Sequence, residues 1–211
     1  MTVLNLQEDF KYLYAPSARR VDIVTVPKFN FVMIDGKIET GENPETSESF
    51  QDALNILHGV SSTLKFMSKL DRKNPITYLV TALEALWDKD DDDMNFARKE
   101  GWTWTLMMMQ PKHITKQMFT RAITSLRQQR GEIPAINLMR FDSFQEGLCM
   151  QILHTGSYGL ESMTIERMND FARKEGYRPH GLLHEIYLSD PRHAKPEKLR
   201  TIVRYAIEET S

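Results

Sequence analysis

The sequence predicts an α+β fold made of two duplicated strand-helix-strand-strand modules, related by a pseudo-twofold axis, with a ligand cleft between them. Each half of the 211-residue chain shows that order of elements. Both halves also place a carboxylate in the third element, Glu84 in LEALW and Glu185 in HEIYL. Self-similarity of this kind indicates an internal repeat. Each sheet could then cover one face with its helix and turn the other towards its twin.

The first half begins with a predicted strand over residues 29–38, which ends at a turn signal. Apolar residues at three- and four-residue steps then predict a helix that begins at Thr46 and ends before Asn74-Pro75. Two strands follow, over residues 76–87 and 102–110, and an acidic loop joins them. These elements form module one, about residues 28–112.

The second half has the same order of elements. An amphipathic helix over residues 115–131 connects the halves, and module two covers about residues 145–208. We expect one domain over residues 1–211, preceded by an irregular arm that lasts to about Lys28. Module two contains strands over 147–154, 180–188 and 201–207, and a helix from Tyr158-Gly159 to Gly176.

The composition is that of an ordinary globular protein. The chain has 27 Lys+Arg and 29 Asp+Glu, a net charge of −2, which argues against a nucleic-acid partner. No apolar run approaches the ~20 residues of a membrane span. The first residues lack the layout of a signal peptide, and the lone Cys149 fits a reducing compartment. We therefore expect a cytoplasmic location.

Glu185 is the most informative candidate for chemistry. Strand alternation puts it on one face with Leu183 and Tyr187, opposite His184. A buried mid-strand carboxylate is costly unless it is paired or used, so it suits a general base or a counter-charge for a cationic ligand. The alternatives are an edge-strand glutamate in water, or one tied to Arg204 or another nearby base. Glu84 has the same pattern without an aromatic neighbour on its face.

Aromatic residues accompany this carboxylate. Trp102 and Trp104 are two apart on one predicted strand, so their rings project from the same face. Indole rings beside a carboxylate can enclose a planar aromatic or cationic ligand, although core packing explains any one of them equally well. The other candidates are Tyr158, Tyr187, Trp87 and Tyr78.

We expect no metal and no cofactor. His180 and His184 share a face that Glu185 does not, and the run from Asp90 to Asp93 lacks the spacing of a calcium loop. The sequence contains no glycine-rich phosphate loop and no nucleophile elbow. The oligomeric state is not readable from the sequence.

Several segments resemble the GyrI-like small-molecule-binding family over nearly the whole chain, from about Tyr12 to about Ile207. The more specific ones are HTGSY and HEIYLSDP; LEALW and WTWTLMMMQP add to them. The resemblance implies a duplicated module with a ligand cleft between the halves. Because the resemblance takes up nearly all of these residues, we expect none of the DNA-binding half that many members carry.

The branch that the sequence most resembles contains cyclopropanoid hydrolases. These enzymes open the strained cyclopropane of DNA-alkylating natural products of the yatakemycin type within an aromatic cage. The resemblance implies that Glu185 is the pocket glutamate and activates water. It implies a cage drawn from Trp102 or Trp104, Tyr158, Tyr187, Trp87 and Tyr78.

Two other functions remain open from the sequence. The chain could sequester planar or cationic compounds without chemistry, with Glu185 as a counter-charge. A weaker alternative is an adaptor that inhibits another protein through its acidic loop.

Overall fold

The computed structural model describes residues 3–88, 99–131, 133–189 and 194–210. These residues form a mixed α+β fold with five helices and one open sheet of eight antiparallel strands. The helices are α1 (Leu6–Asp9), α2 (Lys11–Tyr14), α3 (Glu48–Lys69), α4 (Lys116–Arg130) and α5 (Ser162–Glu175). The strands are β1 (Asp22–Val26), β2 (Phe29–Lys37), β3 (Leu83–Asp88), β4 (Thr103–Gln110), β5 (Arg140–Phe144), β6 (Gly147–Thr155), β7 (Tyr177–Tyr187) and β8 (Arg200–Glu209).

The sheet has the strand order β1-β6-β8-β7-β3-β4-β2-β5. In chain order the first half reads β2, α3, β3, β4 and the second half reads β6, α5, β7, β8. The two halves meet where β3 pairs with β7, and Ala85 lies opposite Glu185 at that junction. Short 3-10 helices at Pro134–Leu138 and Pro196–Lys198 lie in the connections.

The prediction of an irregular arm before residue 28 is wrong. The arm contains α1, α2 and β1, and β1 pairs with β6 at one edge of the sheet. The unpredicted β5 pairs with β2 at the other edge. Both pairings join segments that are far apart in the chain, so no local pattern reveals them.

The predicted strand over residues 76–87 is also wrong in its first part, because β3 begins at Leu83. Before it the chain bridges to the arm instead: the Leu4 N–H donates to the Thr77 carbonyl at 2.9 Å, and the Leu79 N–H donates to the Leu4 carbonyl at 2.9 Å. The acidic loop that was expected to follow covers residues 88–101, of which 89–98 lie outside the described residues.

Both faces of the sheet are covered. On one face, here the helix face, α3, α4 and α5 pack on strand residues such as Ile34, Leu106 and Val203. On the other, the arm face, Leu6 and Leu13 of the arm pack with a second set of strand residues. A strand that is buried on both faces does not alternate apolar with polar residues. This explains why β4 contains a continuous apolar run.

The connecting helix α4 begins and ends close to the predicted bounds. The Thr115 side chain accepts a hydrogen bond from the Met118 N–H at 3.3 Å and caps the first turn. Gly131 ends the helix with a φ of 79°. No helix within the described ranges is both long and apolar enough to cross a membrane.

Candidate functional site

Glu185 lies on the helix face of β7, at the junction of the two halves. Its neighbours in the sheet are Ala85 of β3 and Val203 of β8, so it is on a central strand. Its side chain is 1% exposed. The carboxylate is therefore neither at a sheet edge nor in water, and it needs compensating partners.

One carboxylate oxygen of Glu185 has two donors. The Lys99 ammonium lies 2.5 Å from Oε2, and the Tyr187 hydroxyl donates to the same oxygen at 2.6 Å. Tyr187 in turn accepts a hydrogen bond from Trp87 Nε1 at 3.2 Å. Burial and the Glu185 charge raise the pKa of Tyr187 well above its usual value, so the hydroxyl keeps its proton and remains a donor.

Aromatic rings border this pair. The Lys99 Nζ lies 4.3 Å from the centroid of the Trp87 ring, which is cation–π geometry. The Tyr158 and Tyr187 rings meet edge to face with centroids 5.4 Å apart. The Trp102 and Trp87 rings also meet edge to face, with centroids 6.4 Å apart. We use the name Glu185 cluster for Glu185 and the residues around it, which are Lys99, Trp87, Trp102, Tyr158 and Tyr187.

The structure places the other two candidate aromatics against different neighbours. The Trp104 ring packs on Phe50 at 5.3 Å and covers Gly36, its cross-strand partner on β2. Tyr78 donates to Gln110 at 3.2 Å and meets the His113 ring edge to face at 5.8 Å. The role of each in a ligand cage stays a prediction.

Sequence reasoning missed Lys99, which is 86 positions from Glu185 and precedes β4. It also missed Glu161, the residue before α5, which is fully buried. Burial, followed by the negative charge of Glu185, raises the pKa of Glu161 to about 7, and the Lys99 charge opposes that shift. Backbone N–H groups near the carboxyl, including that of Gly159, oppose the rise as Lys99 does. None of them makes a well-aligned hydrogen bond to either oxygen of Glu161 within the described residues.

Unpaired polar atoms concentrate around this part of the helix face. His154, Thr201 and Tyr187 lie side by side on β6, β8 and β7. Among the described residues, Glu185 Oε1 and Thr201 Oγ1 have no hydrogen-bond partner, whereas the His154 ring bonds Thr164 and the Ser157 backbone. Buried polar groups usually have a hydrogen-bond partner, so a ligand or a water molecule bound here could supply the missing hydrogen bonds.

The opposite face carries a second buried network, which we call the His184 network. His184 Nε2 lies 3.0 Å from Glu84, and its Nδ1 lies 3.0 Å from Glu146. Burial disfavours the imidazolium, but the charge and hydrogen bond of Glu146 outweigh it and raise the pKa of His184. Arg204 completes the network, with hydrogen bonds to the Leu13 carbonyl at 3.0 Å and to the side-chain oxygen of Gln151 at 2.8 Å.

The His184 network attaches the arm to the sheet. The Tyr14 hydroxyl donates to Glu84 at 2.8 Å, and the arm carbonyl of Leu13 accepts from Arg204. Glu84 and Arg204 therefore have partners of their own on the arm face, and Arg204 is not the partner of Glu185. No group of three histidine, cysteine or acidic residues in the described part of the chain could hold a metal ion.

Comparisons with known proteins support the fold and define its relatives. No family model and no curated protein matches the chain. A solved hydrolase from Listeria innocua is 30% identical, with a TM-score of 0.83 over 97% of this chain and 100% of that one. Another Listeria innocua hydrolase is 29% identical, with a TM-score of 0.86 over 98% and 100% of the two chains. The chain thus belongs to the same protein family as the 30%-identical hydrolase.

A more distant neighbour shows the fold alone. The EcmrR C-terminal domain is 8% identical and has a TM-score of 0.54 over 90% of this chain and 98% of that domain. These likenesses are consistent with the GyrI-like fold that the sequence resemblance implies.

Proposed function

We propose that the protein is a GyrI-like hydrolase that opens the cyclopropane ring of DNA-alkylating small molecules of the yatakemycin type and so protects the cell from them. The observation that carries the proposal is the second oxygen of Glu185. Oε2 is held by Lys99 and Tyr187, whereas the buried Oε1 has no partner among the described residues. The two related hydrolases support hydrolytic chemistry.

In the proposed reaction Glu185 Oε1 orients a water molecule and accepts its proton. The water oxygen attacks the less hindered cyclopropane carbon, forming a C–O bond as the C–C bond of the ring breaks. The released electron pair enters the conjugated carbonyl system, whose oxygen takes up a proton and becomes a phenol. The product is the substrate plus one water. Relief of ring strain drives the step, so the protein mainly positions the reactants.

Aromatic rings would hold the planar substrate beside this water. Trp87 is fixed by its hydrogen bond to Tyr187, and Tyr158 packs on Tyr187. Rings held in this way lose little freedom on binding, which favours stacking. We propose that residues 28–112 and 145–208 are duplicated modules and that the ligand cleft lies where they meet. At that junction β3 carries Trp87 and β7 carries Glu185.

The second candidate function is sequestration without chemistry. The observation that favours it is the position of Lys99, whose ammonium contacts both the Glu185 carboxylate and the Trp87 ring. The same contacts would suit the charge of a cationic ligand, which would have to displace Lys99. In this function Glu185 acts as a counter-charge, and the recovered ligand is chemically unchanged.

Mass spectrometry of a cyclopropane-bearing DNA alkylator incubated with the purified protein separates the two functions. Hydrolysis predicts a gain of one water that is lost in Glu185→Gln, while the variant still binds the compound. Glu84→Gln is the matched control, because Glu84 is also a buried glutamate on a strand but lies on the arm face, where it accepts a hydrogen bond from Tyr14. Unchanged turnover in Glu185→Gln would remove its assigned role. A bound but unaltered ligand with the native protein would favour sequestration.

A further inference from the structure

Lys99 places a buried positive charge inside a site whose other groups would bind a cationic ligand. Its side chain is 6% exposed and that of Glu185 is 1% exposed. The ammonium has both partners that bind organic cations in proteins, a carboxylate at 2.5 Å and the face of an indole at 4.3 Å. The side chain thus occupies the position that a ligand cation would take beside Glu185.

The backbone at Lys99 fixes the side chain in this place. Its φ of 50° is the one positive value at a non-glycine residue in the described chain, a conformation that disfavours lysine. One hydrogen bond closes the turn and another attaches it to the residue after β2: Trp102 N–H donates to the Lys99 carbonyl at 3.1 Å, and Gly101 N–H donates to the Ile38 carbonyl at 3.0 Å. The Glu100 carboxylate also accepts a hydrogen bond from the Gly41 N–H at 2.8 Å.

We propose that Lys99 determines the ligand charge that the Glu185 cluster accepts: its ammonium fills the cation position, so that the native site binds uncharged planar molecules and disfavours planar cations. This inference rests on the proposed ligand site but not on hydrolysis. A cation that approaches Glu185 must displace Lys99, and it gains little because it replaces one ion pair by another. A neutral planar ligand leaves the pair intact and stacks on the rings.

Removal of Lys99 should reverse this preference. Without the ammonium, Glu185 would be a buried carboxylate that only the Tyr187 hydroxyl stabilises among the contacts described above. A ligand cation would then supply the missing charge, since a buried charge is tolerated when it is paired. The change is a gain of function, which distinguishes it from simple damage to the fold.

The test uses two probes of nearly the same shape that differ in charge, N-methylquinolinium and 1-methylnaphthalene. Their affinities for the full-length protein are measured by calorimetry or tryptophan quenching. The native protein should prefer the naphthalene. Lys99→Met should bind the cation at least about tenfold more tightly than the native protein does, a change of about 1.4 kcal/mol. Lys69→Met, an exposed lysine at the end of α3, is the matched control and should change neither affinity.

Two further variants show whether the effect depends on the charge pair. Lys99→Arg should retain the native preference, and the double variant Lys99→Met with Glu185→Gln should lose the gained cation affinity. If Lys99→Met does not fold, Lys99→Gln replaces it. A native protein that prefers the cation, or a Lys99 variant with an unchanged affinity ratio, would overturn the proposal. Binding of neither probe to any variant would overturn the ligand site itself.

These measurements are independent of turnover. If the alkylator is never hydrolysed but the affinity ratio reverses in Lys99→Met, the hydrolase fails and the role of Lys99 stands. If hydrolysis occurs but the ratio does not change, the role of Lys99 fails and the hydrolase stands.

Discussion

Replacement of Gly36 by alanine tests the cross-strand packing that holds Trp104. A Cβ added at Gly36 would lie 2.1 Å from Cζ2 and 2.4 Å from Cη2 of the Trp104 indole. Ordinary carbon contacts lie at about 3.5–4.0 Å, so the ring must move by more than an ångström. Trp104 is 3% exposed and also packs on Phe50, which leaves little room for that movement.

The size of the effect follows from two opposing contributions. Overpacking of a tight site costs about 1–3 kcal/mol, and a contact of 2.1 Å belongs in the upper part of that range, about 2–3 kcal/mol. Loss of the glycine's flexibility in a strand returns about 0.5–1 kcal/mol. We therefore expect the free energy of unfolding to fall by about 1–2 kcal/mol. For a chain of this size that lowers Tm by roughly 2–8 °C.

Urea unfolding followed by circular dichroism measures this change. Gly59→Ala is the matched control, because Gly59 lies inside α3 and an added Cβ would meet Leu126 at an ordinary 3.4 Å. That substitution should stabilise the protein by about 0.5–1 kcal/mol. If Gly36→Ala were as stable as the native protein, the indole could not lie over Gly36 as described. Retained ligand binding in Gly36→Ala would show that Trp104 acts in the core rather than in the cage.

Two further predictions concern buried charges. The folded protein protonates Glu161 up to about pH 7, whereas an unfolded glutamate ionises near pH 4.5. Its contribution to stability is therefore present below about pH 4.5 and is lost as the pH rises to about 7. Glu161→Gln should remove this pH dependence from urea unfolding curves, and an unchanged curve would contradict the assignment. Arg204→Met should lower the free energy of unfolding by about 3–5 kcal/mol, because it removes a buried positive charge beside Glu146 and leaves the Leu13 carbonyl and the Gln151 side-chain oxygen without the Arg204 donor; a loss below about 1 kcal/mol would contradict that role.

The order of the main elements was predictable because local patterns encode it. The apolar spacing that predicts α3 also gives its buried face, including Phe50, Leu57 and Leu64. Alternation on β7 correctly separates Glu185 from His184, which lie on the helix face and the arm face. The edge strands β1 and β5 were not predictable, because each depends on pairing with a distant strand.

The residues of the candidate site also differ in how far the sequence indicates them. The sequence indicates Glu185 because a carboxylate is unusual in an apolar strand. It indicates Tyr187 because residues two positions apart on a strand lie on the same face. It contains no signal for Lys99 or Glu161, since a lysine in a polar loop and a glutamate before a helix are common surface residues. Their burial results from the turn before β4 and from the packing of α5 on the sheet.

What the sequence by itself determined is the α+β composition, the strand-helix-strand-strand order of each half and the place of a carboxylate within the apolar strand β7. These properties depend on side-chain periodicity, which is local. Only the tertiary structure decided that Lys99 pairs with Glu185 across 86 positions, that Trp104 packs on Gly36, and that the arm closes the second face of the sheet. Such contacts depend on strand order and chain path, and the energy of burying a charge is set by whichever groups the fold brings to it.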